Sequence, residues 1–407
     1  MIGRMGDALE ETMLTQINAA TSADHGPALF SAGFRPFFLL AGAQAALMVP
    51  VWLIQYLTGV TLNLPYAPLL WHGHEMVFGF GSAAIAGFLL TAVPNWSGAA
   101  PVKGRPLMVL AALWLAARAA FALGGIVPPL VAGALDLAFL PLLGFLLAKP
   151  LVGAGKLHNI AFLPILGVLI LADGLVVAEM AGAADSGRLG LYLGLFMLLL
   201  MISIIGGRII PGFTVGGLRA RGIVVQLKSR PWLDRAAIAA LVATAAAVLA
   251  APESGAAGGL AILAAALHAA RLSGWHGWKT GGVPLLWVLH LGYAWLPLGL
   301  LLLGLSAFVP AITPQMALHG LTVGCVGLMV LGVMSRAALG HSGRRLEPSR
   351  LTVAAYALVA VSAVVRVFGV MVDPIAGLWL SGLLWSAGFA LYLVVYAPIC
   401  LTPRQAG

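Results

Sequence analysis

Twelve long apolar stretches constrain the fold of this 407-residue chain more than any other feature of its sequence. A helix needs about 20 apolar residues to cross the hydrocarbon core of a bilayer, and each stretch is close to that length. Charged residues make up only 9% of the chain, whereas a soluble protein carries about 25%. The sequence therefore predicts an all-α fold, a polytopic membrane helix bundle with about twelve transmembrane helices. The predicted spans lie near residues 37–57, 74–94, 106–124, 127–148, 160–181, 189–210, 234–251, 256–271, 283–307, 315–337, 351–371 and 376–399.

The positions of the basic residues predict how these spans are oriented. Lysines and arginines follow the second, fourth, sixth, eighth and tenth spans, whereas the connections after the first, seventh and ninth spans contain none. The residues concerned are Lys103, Arg105, Lys149, Lys156, Arg219, Arg221, Lys228, Arg230, Arg271, Lys279, Arg344, Arg345 and Arg350. Because basic loops stay on the cytoplasmic side, both termini are predicted to be cytoplasmic. The net charge of +9 is then a feature of topology, and no nucleic-acid partner is expected.

The chain is predicted to form one transmembrane domain over residues 31–401. Residues 1–30 are expected to be a cytoplasmic N-terminal segment, because they lack the basic start and apolar centre of a cleavable signal peptide. Residues 402–407 form a C-terminal tail. Pro211 is expected to break the sixth helix within 206–214. The basic connection over 211–233 is therefore a candidate boundary between two six-helix halves.

Histidines and a carboxylate stand at the start of the second span, in the stretch Trp71–Met76. Because imidazole and carboxylate groups are costly in hydrocarbon, His72, His74 and Glu75 are candidates for a functional site. His319 lies one to two turns into the tenth span from the same predicted side of the membrane. We expect the three histidines to meet there and to hold a metal.

The two-residue spacing of His72 and His74 leaves their relative direction open. On one helix the two side chains point about 200° apart and do not easily share a ligand, and the alternative is then that one binds a metal and the other a different centre. On an extended lead-in, which Gly73 permits, they face the same side. If the helix already begins there, His72 and Glu75 share a helix face at i, i+3.

Two further histidines are metal-ligand candidates nearer the predicted cytoplasmic side. His290 lies about two turns into the ninth span, and His341 follows the end of the tenth. Imidazoles without cysteine clusters suit haem iron, copper or zinc, and neither Cys325 nor Cys400 belongs to a haem-attachment or redox motif. The alternative is that a membrane histidine only bridges helices by hydrogen bonds.

Several ionisable residues also fall within or next to the spans. Arg35, Arg208 and Arg336 are candidates to clamp anionic groups such as haem propionates, or they only extend their charged ends toward the membrane surface. Asp136 and Asp173 lie deeper, where they relay protons or stay neutral and hydrogen-bonded. The remaining ionisable residues in the spans are Arg118, Glu179 and Arg366.

Seven stretches of the chain, in order from about residue 30 to 400, resemble the NnrS family of nitric-oxide-response membrane proteins. They are Gly33–Phe38, Trp71–Met76, Gly87–Trp96, Gly207–Pro211, Leu289–Tyr293, Leu318–Gly324 and Met334–His341. The histidine-rich stretch and the Pro-Asn-Trp segment that follows it are specific to the resemblance, whereas the apolar stretches would match many membrane proteins. Gly73 stands where alanine is often expected.

The resemblance implies a twelve-helix protein of the bacterial inner membrane that contains haem b and copper and acts in nitric oxide metabolism or resistance. It also implies that five histidines occupy the family's histidine positions, namely His72, His74, His290, His319 and His341. The motifs leave open which of them bind haem and which bind copper.

The first functional hypothesis is a metalloprotein that binds nitric oxide at a haem or haem–copper centre and reduces it to nitrous oxide. Glu75 is the best-placed carboxylate to deliver protons, and no motif identifies the electron donor. One alternative is a secondary transporter without redox chemistry, which twelve spans, cytoplasmic termini and a helix break at Pro211 fit. Another is a nitric oxide sink or sensor without turnover.

Overall fold

The computed structural model of the protein describes residues 27–60, 67–153, 155, 157–228 and 230–405. This part of the chain contains twelve helices that are long and apolar enough to cross a membrane, which confirms the predicted fold class and number of spans. The helices are α1 Phe34–Thr58, α2 Pro68–Ser97, α3 Arg105–Ala122, α4 Pro129–Gly153, α5 Phe162–Met180, α6 Gly187–Arg219, α7 Pro231–Ala250, α8 Gly255–Ser273, α9 Pro284–Ser306, α10 Pro314–His341, α11 Arg350–Met371 and α12 Pro374–Leu401. Of the predicted terminal segments, residues 1–26 and 406–407 lie outside the described residues.

Proline and short polar residues define where many of these helices begin. A proline stands at the first helical position of α2, α7, α9, α10 and α12, where its missing N–H would have no intrahelical partner anyway. The side chains of Ser254, Thr313, Ser349 and Asp373 accept hydrogen bonds from backbone N–H groups in the first turns of α8, α10, α11 and α12. These caps satisfy backbone donors that the helix itself leaves unpaired.

The predicted break of the sixth helix at Pro211 is wrong. Helix α6 continues through Pro211 to Arg219, and the connection to α7 begins at Ala220. Proline removes one backbone hydrogen bond and strains the preceding turn, but packed membrane helices tolerate that loss. The transporter hypothesis therefore loses the broken helix as support, and the division into two halves stays a prediction.

The first and last helices are neighbours, because α12 packs along both α1 and α11. Helix α2 contacts α1, α4, α6 and α10, and α10 also contacts α9, α11 and α12. In their most apolar windows, 78% of the residues of α2 and 67% of those of α9 and α10 are buried. The two helices that carry the histidine motifs, α2 and α10, therefore lie in the interior of the bundle.

Helices α2 and α10 share an unusual local structure. Each contains a π-helical segment directly after its first histidines. These segments are Glu75–Gly81 in α2 and Gly320–Gly327 in α10. Short π-helical segments often occur at functional sites. Close packing accompanies the second segment, because a Cβ atom on Gly324 would lie 2.3 Å from Trp295 and one on Gly327 would lie 2.4 Å from Trp385.

Candidate functional site

A cavity in the interior of the bundle brings His72 of α2 and His319 of α10 to a common wall. We call it the central cavity, and it contains about 1050 Å³ of empty space including its open mouth. Most of its wall is apolar and aromatic, including Trp52, Leu53, Val77, Phe80, Leu195, Leu198 and Trp385, with Met76 beside the histidines.

Both histidines of the central cavity have a ring nitrogen that suits a metal. His319 Nδ1 lies 2.8 Å from the carbonyl oxygen of Gln315, one turn earlier. Since a carbonyl only accepts, Nδ1 carries the proton and Nε2 keeps its lone pair, which is the pattern of a metal-binding imidazole. The ring of His72 stacks on Trp52 at 4.4 Å, and its buried Nδ1 has no hydrogen-bond partner among the described residues.

Arg366 of α11 adds a positive charge to this otherwise apolar wall. Among the described residues, its guanidinium forms no ion pair with a carboxylate. A partly buried cation without a counterion is unfavourable, so the cavity suits a ligand that brings a negative group. Sequence reasoning noted Arg366 only as an ionisable residue. Arg366 lies near the end of α11. Because consecutive helices alternate in direction, this end lies at the same membrane level as the start of α2. That position was the sequence signal that could have identified Arg366.

His74 does not join His72 and His319, contrary to the expectation that all three meet. Helix α2 begins at Pro68, before both histidines, so neighbouring positions diverge as on any helix and no extended lead-in exists. The imidazole of His74 is completely buried. It points to Asp136 of α4 and Asp173 of α5, with Nε2 2.7 Å from Asp136 Oδ2 and 3.2 Å from Asp173 Oδ1.

The surroundings of His74 form a network of buried charged groups. His74 Nδ1 lies 3.2 Å from Glu75 Oε1, and Gln44 of α1 donates a hydrogen bond to the other carboxylate oxygen of Glu75. Arg118 of α3 is ion-paired with Asp136 and lies 3.4 Å from Glu75 Oε1. Glu75 is held in this network and does not line the central cavity. Its predicted role as proton donor stays a prediction.

A second cavity lies toward the other end of α10, where Arg336 and His341 share a wall with Trp96 of α2 and Phe213 of α6. The guanidinium of Arg336 sits 3.9 Å from the centre of the Phe213 ring. Arg208 also lies on α6. Its guanidinium sits over the rings of Trp96 and Phe162 and lies 3.3 Å from Asn159 Oδ1. This cavity brings together His341 and Arg336 as possible contacts for an anionic cofactor.

The other two predicted residues lie elsewhere. Arg35 is 1% exposed, and it donates hydrogen bonds to the carbonyl oxygens of Cys400 at 2.9 Å and Thr402 at 2.5 Å. These bonds satisfy the C-terminal end of α12, which is a structural role. His290 Nε2 lies 2.9 Å from Thr214 Oγ1, and its ring lines a cavity beside Trp278. His290 and His341 therefore line different cavities.

An apolar cavity lies between the central and second cavities, along α2, α6 and α10. Every side chain that lines it is apolar, and three of them are methionines. It shares Leu198 and Val326 with the central cavity and Phe88 and Val333 with the second. An uncharged, apolar region thus separates the central cavity from the second cavity.

The NnrS protein family model matches residues 28–404 of the chain, nearly its whole length. The chain belongs to the NnrS family. A search of curated proteins finds no match. The family is one of nitric-oxide-response membrane proteins and is associated with metal and haem binding. Family membership and the twelve apolar helices together support a multi-pass membrane protein.

In this NnrS family member, the five histidines of the family motifs are distributed over four environments. His72 and His319 share the central cavity, His74 belongs to the buried charged network, His341 lines the second cavity and His290 contacts Thr214. The assembly of Asp136, Asp173 and Arg118 around His74 is the part that sequence reasoning missed. Three ionisable residues on consecutive apolar helices α3, α4 and α5 were the available signal.

Proposed function

We propose that this protein is a haem- and copper-containing membrane protein that binds nitric oxide in the central cavity. The observation that carries the proposal is that two imidazoles share a mostly apolar wall with Arg366, which forms no ion pair among the described residues. A haem has an iron that takes histidine ligands, an apolar ring, and carboxylate groups that need cations. The donor set and the wall of the cavity fit all three requirements.

His319 is the residue we propose as the ligand of the haem iron. Its Nδ1–H is held by Gln315, which fixes the ring orientation and leaves Nε2 as the donor atom. Arg366 is the proposed partner of a haem carboxylate, since arginine recognises carboxylates through paired hydrogen bonds. When bound there, reduced haem iron would supply the site that takes up nitric oxide.

Copper is proposed to bind at His72 together with Met76. The two residues lie one helical turn apart, and both line the central cavity. Imidazole and thioether ligands suit copper, and thioethers favour Cu(I) in particular. The unpartnered Nδ1 of His72 supports this assignment, because a buried polar atom normally has a partner.

Binding of nitric oxide serves sequestration as well as turnover, and both need the same cavity. Reduction of two nitric oxide molecules to nitrous oxide and water consumes two electrons and two protons. The apolar lining of the central cavity excludes water from the bound ligand. Glu75, next to Met76 in the chain, is the proposed carboxylate relay that takes up protons and passes them toward the cavity, and an external protein or small molecule must supply the electrons.

The proposal is tested by the visible spectrum of the protein purified in mild detergent. Spectra are recorded oxidised, dithionite-reduced, and reduced with nitric oxide added. We expect a b-type haem spectrum that shifts with nitric oxide, and we expect His319→Ala to lose the haem. His276→Asn is the matched control, because His276 lies in a loop with a left-handed backbone that asparagine also adopts.

Two further results decide between the rival functions. Gas analysis of nitrous oxide after addition of nitric oxide to the reduced protein separates reduction from sequestration. A colourless protein from haem-sufficient cells would reject the haem proposal and favour the secondary transporter, for which twelve spans remain as support.

A further inference from the structure

We infer that His74, Asp136 and Asp173 form a binding site for a divalent transition-metal ion, separate from the central cavity. The three residues come from α2, α4 and α5. Their side chains lie deep in the bundle, with exposed fractions of 0%, 4% and 2%. The inference does not depend on the proposed haem or on nitric oxide.

The ligand atoms converge as a chelating set. The imidazole Nε2 lies 2.7 Å from Asp136 Oδ2 and 3.2 Å from Asp173 Oδ1, and the three atoms all lie within 4.8 Å of one another. Zinc-like ions bind nitrogen and oxygen ligands at about 2.0–2.2 Å. Ligand atoms bound to the same ion are therefore separated from one another by distances similar to those between His74 Nε2 and the two aspartate oxygens.

The hydrogen bond between His74 Nε2 and Asp173 Oδ1 leaves Asp136 Oδ2 without a partner. A ring nitrogen carries at most one hydrogen, yet His74 Nε2 faces two carboxylate oxygens. Asp136 Oδ2 has no hydrogen-bond partner of acceptable geometry among the described residues, whereas Asp136 Oδ1 is paired with Arg118. Leaving a buried charged acceptor unsatisfied is costly. A cation between the three atoms gives each of them a partner.

The charge of the network points to the same ligand. Glu75, Asp136 and Asp173 bring three negative charges when ionised, and Arg118 brings one positive charge. With His74 neutral, as a metal ligand must be, two negative charges remain without compensation, and a protonated His74 would still leave one. Uncompensated charge is strongly unfavourable in a buried environment. One divalent cation neutralises it.

The residues around the site are arranged as outer partners of a metal centre. Glu75 lies 3.2 Å from His74 Nδ1, so an Nδ1–H group donates to this carboxylate and Nε2 is left as the ligand atom. A carboxylate behind a metal-bound histidine is the usual arrangement. Arg118 orients Asp136, and Gln44 orients Glu75, so both acidic side chains are held in place.

The donor set selects the class of metal. One imidazole and two carboxylates, without any sulfur, suit Zn²⁺ or Fe²⁺ better than Cu(I). Three protein ligands leave one position of a tetrahedral ion open. Zn²⁺ is therefore the probe we choose.

The experiment measures the metals in the purified full-length protein by mass spectrometry, with haem iron determined separately by extraction. We expect about one equivalent of a zinc-class metal per chain, either as purified or after exposure to Zn²⁺ and removal of excess. The double variant Asp136→Asn/Asp173→Asn is expected to lose at least about nine-tenths of it, since it removes two of three ligands. Asp173→His alone, which keeps a ligand atom at this position, is expected to retain binding.

Asp234→Asn is the matched control, because Asp234 also pairs with a buried arginine, Arg271, at 2.5 Å but lies in another network. Wild-type protein that holds no such metal and takes up no Zn²⁺ would overturn the inference, whether or not the variants fold. An unchanged metal content in the folded double variant would overturn it too. Loss of copper in this variant, with haem retained, would support the metal site and refute copper at His72.

Discussion

The imidazoles of His72 and His74, two positions apart on α2, serve different parts of the bundle. His72 stacks on Trp52 at the wall of the central cavity, whereas His74 lies 2.7 Å from Asp136 on the other side of the helix. One short motif therefore places one histidine at the wall of a mostly apolar cavity and the other in a charged network. Substitution of each histidine should have a distinct effect.

His74→Ala is expected to destabilise the protein, and His72→Ala is not. Removing His74 leaves the buried carboxylates of Asp136 and Asp173 without the imidazole between them, and an unsatisfied buried acceptor costs about 1–3 kcal/mol, more when it is charged. His72 has no ion pair to lose, so its substitution should act on copper content. Thermal unfolding in detergent measures the first effect and metal analysis the second. Equal unfolding temperatures for the two variants would contradict this division.

Arg366→Gln is expected to weaken haem retention without abolishing it. The substitution removes the positive charge of the central cavity but leaves His319 in place. A hydrogen bond to a charged group contributes about 1.5–3 kcal/mol, which corresponds to a fall in haem affinity of about 10- to 150-fold. Haem titration of the apoprotein measures the effect. Arg366→Lys keeps the charge but not the paired geometry. Its haem affinity should lie between those of the wild-type protein and Arg366→Gln.

The sequence was sufficient to predict the helices, because hydrocarbon thickness determines the length of each apolar stretch. It also placed His72 and His319 at one level, since depth along a helix follows from residue number. The direction of His74 was not predictable, because it depends on whether the helix begins before or after the motif. Arg366 was missed for a related reason. Only packing of α11 against α10 and α12 shows that its side chain reaches the same cavity.

The continuity of α6 through Pro211 shows a second limit of the sequence. A proline predicts lost hydrogen bonding and a steric clash, but neighbouring helices decide whether the helix ends or continues. The π-helical segments of α2 and α10 are likewise properties of packing. They accompany glycines such as Gly324 and Gly327, which bring backbone close to Trp295 and Trp385.

Gly327→Ala is expected to destabilise the protein by about 1–3 kcal/mol through overpacking. The new methyl group would lie 2.4 Å from the ring of Trp385, which lines the central cavity and donates its indole N–H to the Ala45 carbonyl at 2.8 Å. Gly259→Ala is the matched control, because nothing lies within 4 Å of its added Cβ. Alanine should stabilise that helix by about 0.5–1 kcal/mol. Thermal unfolding of both variants measures the contrast, and a stable Gly327→Ala protein would show that Trp385 moves freely.

Arg35→Gln is expected to lower the unfolding temperature and leave the haem spectrum unchanged. Arg35 stands in a family motif and was predicted to clamp an anionic group, but its guanidinium is directed at the backbone carbonyls of Cys400 and Thr402. Each hydrogen bond from a charged donor contributes about 1.5–3 kcal/mol, so the loss should detach the end of α12 from α1. Unfolding curves and haem content, measured on the same preparation, separate the two roles. Loss of haem with an unchanged unfolding temperature would return Arg35 to the cofactor-binding residues.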